Sequence, residues 1–271
     1  MLLFVSMDTL AKYLTQSYPI LQVVWARFFF HGIWLALYLN RQLPRYIRSQ
    51  RVWLQLGRGT CLVVTTFLFF SAISLLPLAD ASAIMLVGPL VVTALSMPLL
   101  GEYVGPRRWA SVIVGFAGAL IIIRPGSDVM QWASLLPFAA ACIYGLYQIS
   151  TRILSRYDPP FTTLLYTVSV GLPLTSMLLP FVWVWPDSTG WLLMAGVGML
   201  GGVSHFTLIK AFSAAPVVVV TPFSYSNMIW AISLGYMVFG ELPDRWTLIG
   251  AGIIAGSGLY IFYREQQRKK I

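Results

Sequence analysis

Ala72-Ile-Ser-Leu-Leu-Pro77 and Ala211-Phe-Ser-Ala-Ala-Pro216 lie 139 residues apart and align without a gap. At the same offset Gly101-Glu102 falls on Gly240-Glu241, so 25 positions lead from proline to glutamate in both copies. After a two-residue slip, Arg108-Trp109 meets Arg245-Trp246, and each tryptophan stands six residues ahead of a glycine, Gly115 or Gly252. A repeat of that length divides the chain into two related halves, residues 1–126 and 127–271.

Composition says what each half contains. The 271 residues are 58% hydrophobic and 10% charged, with a mean hydropathy of +0.77. Soluble domains carry about 25% charged residues, so a soluble or membrane-tethered soluble enzyme is excluded. A helix needs about 20 apolar residues to cross a bilayer. Apolar runs fall at about 1–16, 20–39, 55–75, 79–99, 108–123, 132–152, 161–183, 190–211, 216–239 and 246–263. Charge or Pro/Gly punctuation separates them, as at Arg124-Pro-Gly and Asp158-Pro-Pro. None alternates with the period of a barrel strand. The predicted fold class is therefore an all-α integral membrane protein of ten transmembrane helices. Duplicating five spans, an odd number, inserts the second half upside down. Such inverted repeats are the architecture by which carriers exchange two states around a central site.

The net charge of +9 and pI near 9.8 read as topology rather than nucleic-acid binding. Arg41, Arg45, Arg48, Arg51, Arg58, Arg107, Arg108, Arg152, Arg156, Arg245, Arg264, Arg268, Lys269 and Lys270 are assigned to loops 2–3, 4–5, 6–7 and 9–10 and the tail. Lys12, Arg124 and Lys210 are assigned to the opposite side, a balance of 14 against 3 that predicts both termini in the cytoplasm. No basic leader precedes the first run, so no cleavable signal peptide is expected. Cys61 and Cys142 sit within apolar runs and imply no disulfide framework.

The ten-span duplication, the proline-to-Gly-Glu segment in each half and the Arg-Trp-x5-Gly opening of the fifth and tenth spans resemble the EamA branch of the drug/metabolite transporter superfamily. The opening Met7-Asp-Thr-Leu-Ala-Lys-Tyr-Leu, Tyr18-Pro and Gln22-Val-Val-Trp-Ala-Arg27-Phe is also similar to many bacterial members. The resemblance covers essentially the whole chain. It implies a multi-pass protein of the bacterial inner membrane that carries amino acids, nucleotide-like or sulfonium metabolites, riboflavin or opine-type metallophores. It also implies a central cavity formed by spans 1–4 and 6–9, with spans 5 and 10 peripheral or forming a homodimer.

Charge inside hydrocarbon marks the candidate substrate site. Arg27, well inside the second span, offers a planar fork for a carboxylate or phosphate, or else pairs structurally with Asp8. Asp8 and Lys12 share a helix face at i, i+4. The aspartate is read as an amine ligand, a protonatable coupling site or half of a static pair, and the lysine as snorkelling to the interface. His31 shares Arg27's face, and His205 follows Gly201-Gly202; either suits proton coupling or an interhelical hydrogen bond. Trp25, Tyr144, Tyr147, Gln148, Tyr225, Asn227 and Trp230 complete a cavity for a flat or amphipathic metabolite, or simply pack. Glu102 and Glu241, read as cytoplasmic, are expected to clamp loop arginines. Gly115-x-x-Gly118 and Gly252-x-x-x-Gly256 give spans 5 and 10 small faces, while Pro77, Pro89, Pro98, Pro173 and Pro222 can bend spans.

The chain carries no HExxH, no Gly-x-Gly-Asp, no GxxxxGK[ST] and no Cys/His cluster at metal spacing, and Ser204-His205 points its side chains about 100° apart on a helix. No enzyme activity, cofactor or metal is expected, and transport would draw on a proton gradient or exchange. The resemblance implies alternating-access export of an amino-acid-like compound or amino-acid-derived metallophore, and the charged residues place Arg27 and Asp8 as its opposite poles. Import of riboflavin or of a sulfonium or nucleoside-like metabolite, and flipping of a lipid-linked headgroup, are the alternatives.

Overall fold

The computed structural model describes residues 1–100, 105–125, 132–215 and 217–268; these are helical, with no strand among them. The α-helices are α1 (Leu2–Leu14), α2 (Ile20–Leu39), α3 (Val52–Leu75), α4 (Leu78–Met85), α5 (Gly88–Leu100), α6 (Pro106–Ile123), α7 (Leu135–Leu154), α8 (Pro160–Leu178), α9 (Ser188–Ala214), α10 (Val217–Val220), α11 (Asn227–Phe239) and α12 (Arg245–Arg268). Glu102 and Pro216 of the repeat lie outside the described residues.

Among the described residues, eight segments are long and apolar enough to cross a membrane. The first and ninth predicted spans are not among them. The 13 residues of α1 rise about 20 Å, against about 30 Å of hydrocarbon. The Val217–Phe239 stretch is interrupted by a 3-10 turn, Thr221–Ser226, around Pro222. The fourth span is interrupted too, between α4 and α5 just ahead of Pro89. Proline lacks the N–H that would continue the ladder, so Pro89 and Pro222 sit where helix stops. Pro98 and Pro173, by contrast, lie inside continuous helices.

Polar locks define two ends of the bundle. At one end Lys12 donates to Leu76 O at 2.8 Å and to Glu241 Oε2 at 2.6 Å, and Arg124 pairs with Asp244. Tyr18 OH donates to Asp187 Oδ1 at 3.0 Å, and Gln22 holds both backbone groups of Val184. Asp187 also caps α9 by accepting from Gly190 N at 2.7 Å. At the other end Asp158 accepts from Ser49, from Gln50 N and from Gln55, and Arg152 donates to Phe212 O at 2.5 Å.

These contacts correct four sequence expectations. The 9–10 turn lies with Lys12 and Arg124, so Glu241 clamps Lys12 rather than loop arginines, and Arg245 belongs to that end. Lys210, near the C-terminus of α9, lies toward the end marked by Arg152; one residue exchanges for another, and the imbalance of charge between the ends survives. Lys12 is buried and ion-paired rather than snorkelling, because burying a lone ammonium is far costlier than burying a paired one.

The α6–α12 pair sits to one side of the bundle. Gly118 faces Gly250 there, and a Cβ on Gly118 would lie 2.9 Å from Gly250 O. Gly250 supplies the small face on α12; a Cβ on Gly252 or Gly256 would meet no other element within 4 Å among the described residues. Elsewhere α1 and α2 pack on α9, α3 on α7 and α8, α5 on α7, and α11 on α1 and α4.

Candidate functional site

Arg27 is 3% exposed on the face of α2 that meets α9. Gly201 makes room for it: a Cβ there would lie 3.1 Å from Met7 Sδ and 3.4 Å from Arg27 Nε. The guanidinium donates to Thr66 Oγ1 on α3 and meets His205 Nε2 on α9 at 2.6 Å. Thr66 spends its own hydroxyl proton on Leu62 O at 2.8 Å, which leaves its oxygen free to accept. Thr66 and His205 stand 139 residues apart, the offset that aligns the halves.

Behind His205 lies a second arginine that sequence reading placed in a loop. Arg58 is 1% exposed, because α3 begins at Val52 and carries it well inside the helix. It donates to Thr151 Oγ1 at 2.7 Å, Thr167 Oγ1 at 2.8 Å, Thr163 O at 3.3 Å and Tyr147 OH at 2.7 Å. Tyr147 OH in turn lies 2.8 Å from His205 Nδ1. Two buried guanidiniums are thus joined through one phenol and one imidazole.

Arg27 and His205 face a cavity of about 110 Å³. Asp8, Tyr144, Gln148 and Asn227 line it as well, beside Phe4, Phe69, Phe70 and Phe212. The segments around the two interruptions contribute Ser82, Met85 and Pro89 from the helices flanking the first, and Thr221, Ser224 and Asn227 from the 3-10 turn and the start of α11. No hydrogen bond or ion pair to the protein engages the Asp8 carboxylate among the described residues. Thr65 Oγ1 and Asn227 Oδ1 are likewise buried without a partner. The cavity therefore offers one strong donor and several open acceptors.

Not every sequence candidate comes to it. His31 packs beside Gly202, and its Nε2 has no hydrogen-bond partner. Tyr147 is fully buried one layer out, stacked on Tyr144 with centroids 5.2 Å apart. Trp25 donates to Ser176 Oγ at 3.0 Å, Tyr225 lies against Gly258, and Trp230 is partly exposed on the outside. Sequence reading missed Thr65, Thr66, Ser82 and Ser224, although the paired threonines are a polar step in an apolar run. Among the described residues no three His, Cys, Asp or Glu side chains converge as metal ligands.

Comparison with known proteins adds the family. The EamA-like transporter family profile matches residues 1–124 and again 131–263. A riboflavin transporter of Vibrio cholerae is 32% identical over 195 residues, 72% of this chain and 65% of that protein, just under two thirds of its length. An S-adenosylmethionine uptake transporter of Rickettsia conorii is 26% identical over 96% of this chain and 88% of its own. A protein of known crystal structure, 20% identical, shares the fold with a TM-score of 0.71, covering 98% of this chain and 96% of that one.

Proposed function

The chain belongs to the EamA-like transporter family, and on that premise we propose that it carries a small zwitterionic metabolite across the bilayer by alternating access. Arg27 holds the anionic pole and Asp8 the cationic one. The observation that carries this reading is that both line one cavity while no hydrogen bond or ion pair engages the Asp8 carboxylate among the described residues. A half-buried carboxylate and a buried guanidinium are costly unless paired, and a ligand bearing both charges pairs them together. Tyr144 and the phenylalanines form the wall for its apolar or planar body. An amino acid, or a sulfonium amino acid joined to a nucleobase, has this shape of charge. Riboflavin, which has the flat ring but no charge, leaves both poles unmatched.

The same proposal includes ten spans in two inverted repeats, over residues 1–126 and 127–271. In this reading α1 is a short first span, and α10, the 3-10 turn and α11 are a broken ninth. Three observations support it: the separate family matches in each half, the interruptions at corresponding places, and the cation closing the first helix of each half, Lys12 or Arg152. Discontinuous helices meeting at a central site are the usual construction of such carriers. The charge-rich end, with both termini, faces the cytoplasm of an inner membrane.

The test is untargeted mass spectrometry of cells and medium for deletion, complemented and Arg27→Gln strains. A carboxylate-bearing metabolite should be displaced alike in the deletion and the variant, while Arg27→Gln inserts normally. Its side of accumulation reads direction: export, as the resemblance led us to expect, or uptake, the function printed for the Rickettsia relative. Transport by Arg27→Gln at the parental rate would overturn the anion anchor.

A further inference from the structure

Where α6 begins and α12 nears its end, the two helices leave a hollow of about 240 Å³. Arg107 and Arg108 reach it from α6 and Arg264 from α12, with Gly105 and Tyr260 beside them. Among the described residues no acid lines it. Long basic side chains at the end of a span ordinarily spread into water. Here three of them, from two helices, border one concavity, and like charges so placed favour an anion between them. The Arg107 guanidinium makes no hydrogen bond or ion pair among the described residues, so its fork is uncommitted there. The helix adds to the same field. Gly105, its N-cap, brings no side chain, and no side-chain hydrogen bond caps α6. The positive end of the helix dipole therefore faces the hollow with the arginines.

A second hollow, about 300 Å³, continues from the first and shares Arg107 and Tyr260 with it. Ala110, Ser111 and Val114 of α6 and Ser257 of α12 form the rest. Both serines spend their hydroxyl protons within their own helices, Ser111 on Arg107 O at 3.1 Å and Ser257 on Ile254 O at 2.8 Å. The walls therefore present mainly carbon. Positions 107, 111 and 114 follow one face of α6, so the furrow runs about 10 Å from the arginines toward the middle of the span. Val114 is exposed at its far end, which opens it sideways to the bilayer. A free phosphate has no use for such a furrow, whereas a phosphate carrying an acyl chain fills both hollows at once.

We propose that this α6–α12 furrow binds one anionic phospholipid: Arg107, Arg108 and Arg264 hold its phosphate, and an acyl chain lies along Ala110 and Val114. Tyr260, common to both hollows, stands at the level of the glycerol, where amphipathic rings favour the membrane interface. Basic pockets between spans at the charge-rich face of a membrane protein suit such headgroups. A second copy of the chain docked symmetrically here would set its arginines against these and repel. The site shares no lining residue with the cavity around Arg27, so the lipid is a fixture of the scaffold and not cargo.

The test uses purified protein stripped of lipid in neutral detergent. It is titrated with dioleoyl phosphatidylglycerol, with phosphatidylcholine of the same chains and with inorganic phosphate, and read by native mass spectrometry and by the unfolding midpoint. Phosphatidylglycerol should be kept as a single adduct and raise the midpoint; the other two should do neither. Arg107→Gln with Arg264→Gln should weaken the adduct about tenfold or more. Ala110→Trp, which fills the furrow and keeps every arginine, should weaken it too. Arg107 and Ala110 are exposed, so these changes leave the core alone. Equal retention of phosphatidylcholine overturns the proposal, as does undiminished retention of phosphatidylglycerol by either variant. Stabilisation by inorganic phosphate as great as by the lipid overturns it in favour of a free-anion site, and a lipid-free dimer that buries this face overturns it in favour of a second copy.

Discussion

At the scale of single residues, the interior is organised by charges whose partners are supplied unevenly. Arg58 has all its contacts from neutral oxygens, Arg27 has two protein partners, and Asp8 has none among the described residues. Asp8→Asn keeps the shape and removes the charge, so the cationic pole of the substrate loses its counter-ion. A hydrogen bond to a charged group contributes about 1.5–3 kcal/mol, so transport affinity should fall about tenfold to a hundredfold without loss of folded protein. A concentration series of substrate uptake in vesicles, once the metabolite is named, checks it. Arg27 and Asp8 were legible in the sequence because charge in an apolar run stands out. Arg58 was not, because the apolar run starts three residues after α3 does, and a basic residue near a loop looks like topology.

Helices pair here through small residues and stop at defined atoms. A Cβ on Gly250 would meet Gly118 O at 2.6 Å and Ile122 Cγ1 at 2.5 Å. Gly250→Val should overpack that contact and destabilise the protein by about 1–3 kcal/mol, read as a lower unfolding midpoint in detergent, while Gly252→Val should be tolerated. The start of α9 depends on Asp187, whose carboxyl is held below the usual carboxylate range by the Gly190 N–H and then by the Tyr18 hydroxyl. A depressed pKa contributes stability above the unfolded-state value and loses it as pH falls through the folded one. Unfolding midpoints should therefore drop on acidification below the ordinary carboxylate pKa, and Asp187→Asn should remove that part of the drop. Apolar runs placed most of these helices to within a few residues. The interruptions of the fourth and ninth runs were marked in sequence only by Pro89 and Pro222. Proline states that a ladder bond is missing, but not whether the helix bends or stops.

At the scale of the molecule, the cavity reaches toward Met1, Phe212 and Val220, while Lys12, Leu76 and Glu241 close the other end. Lys12 and Glu241 fall in the two repeats proposed above, so their ion pair ties α1 to the turn after α11 where the cavity is shut. Lys12→Ala should raise the labelling rate of a cysteine placed at Thr9 by a reagent added from that side. Lys12→Glu should abolish transport, and Lys12→Glu with Glu241→Lys should recover part of it; no recovery would mean that the pair is not what holds that end. The all-helical, membrane-spanning plan was legible from the apolar runs, but which loops shared an end was not, until contacts between distant residues fixed it.

Thr66 and His205 hold corresponding places in the halves, yet they differ in chemistry and share one guanidinium. Two copies of the first half, facing each other, would bring two arginines to that point and no imidazole to separate them. Two cations in a dry interior repel strongly, so a self-paired half would not close. Residues 1–126 and 127–271 produced as separate chains in one cell should retain the unlike partners and together restore transport, which each half expressed alone should not. On the two-repeat reading proposed above, the divergence of the halves is a chemical requirement of the interior, and the covalent link between them is not.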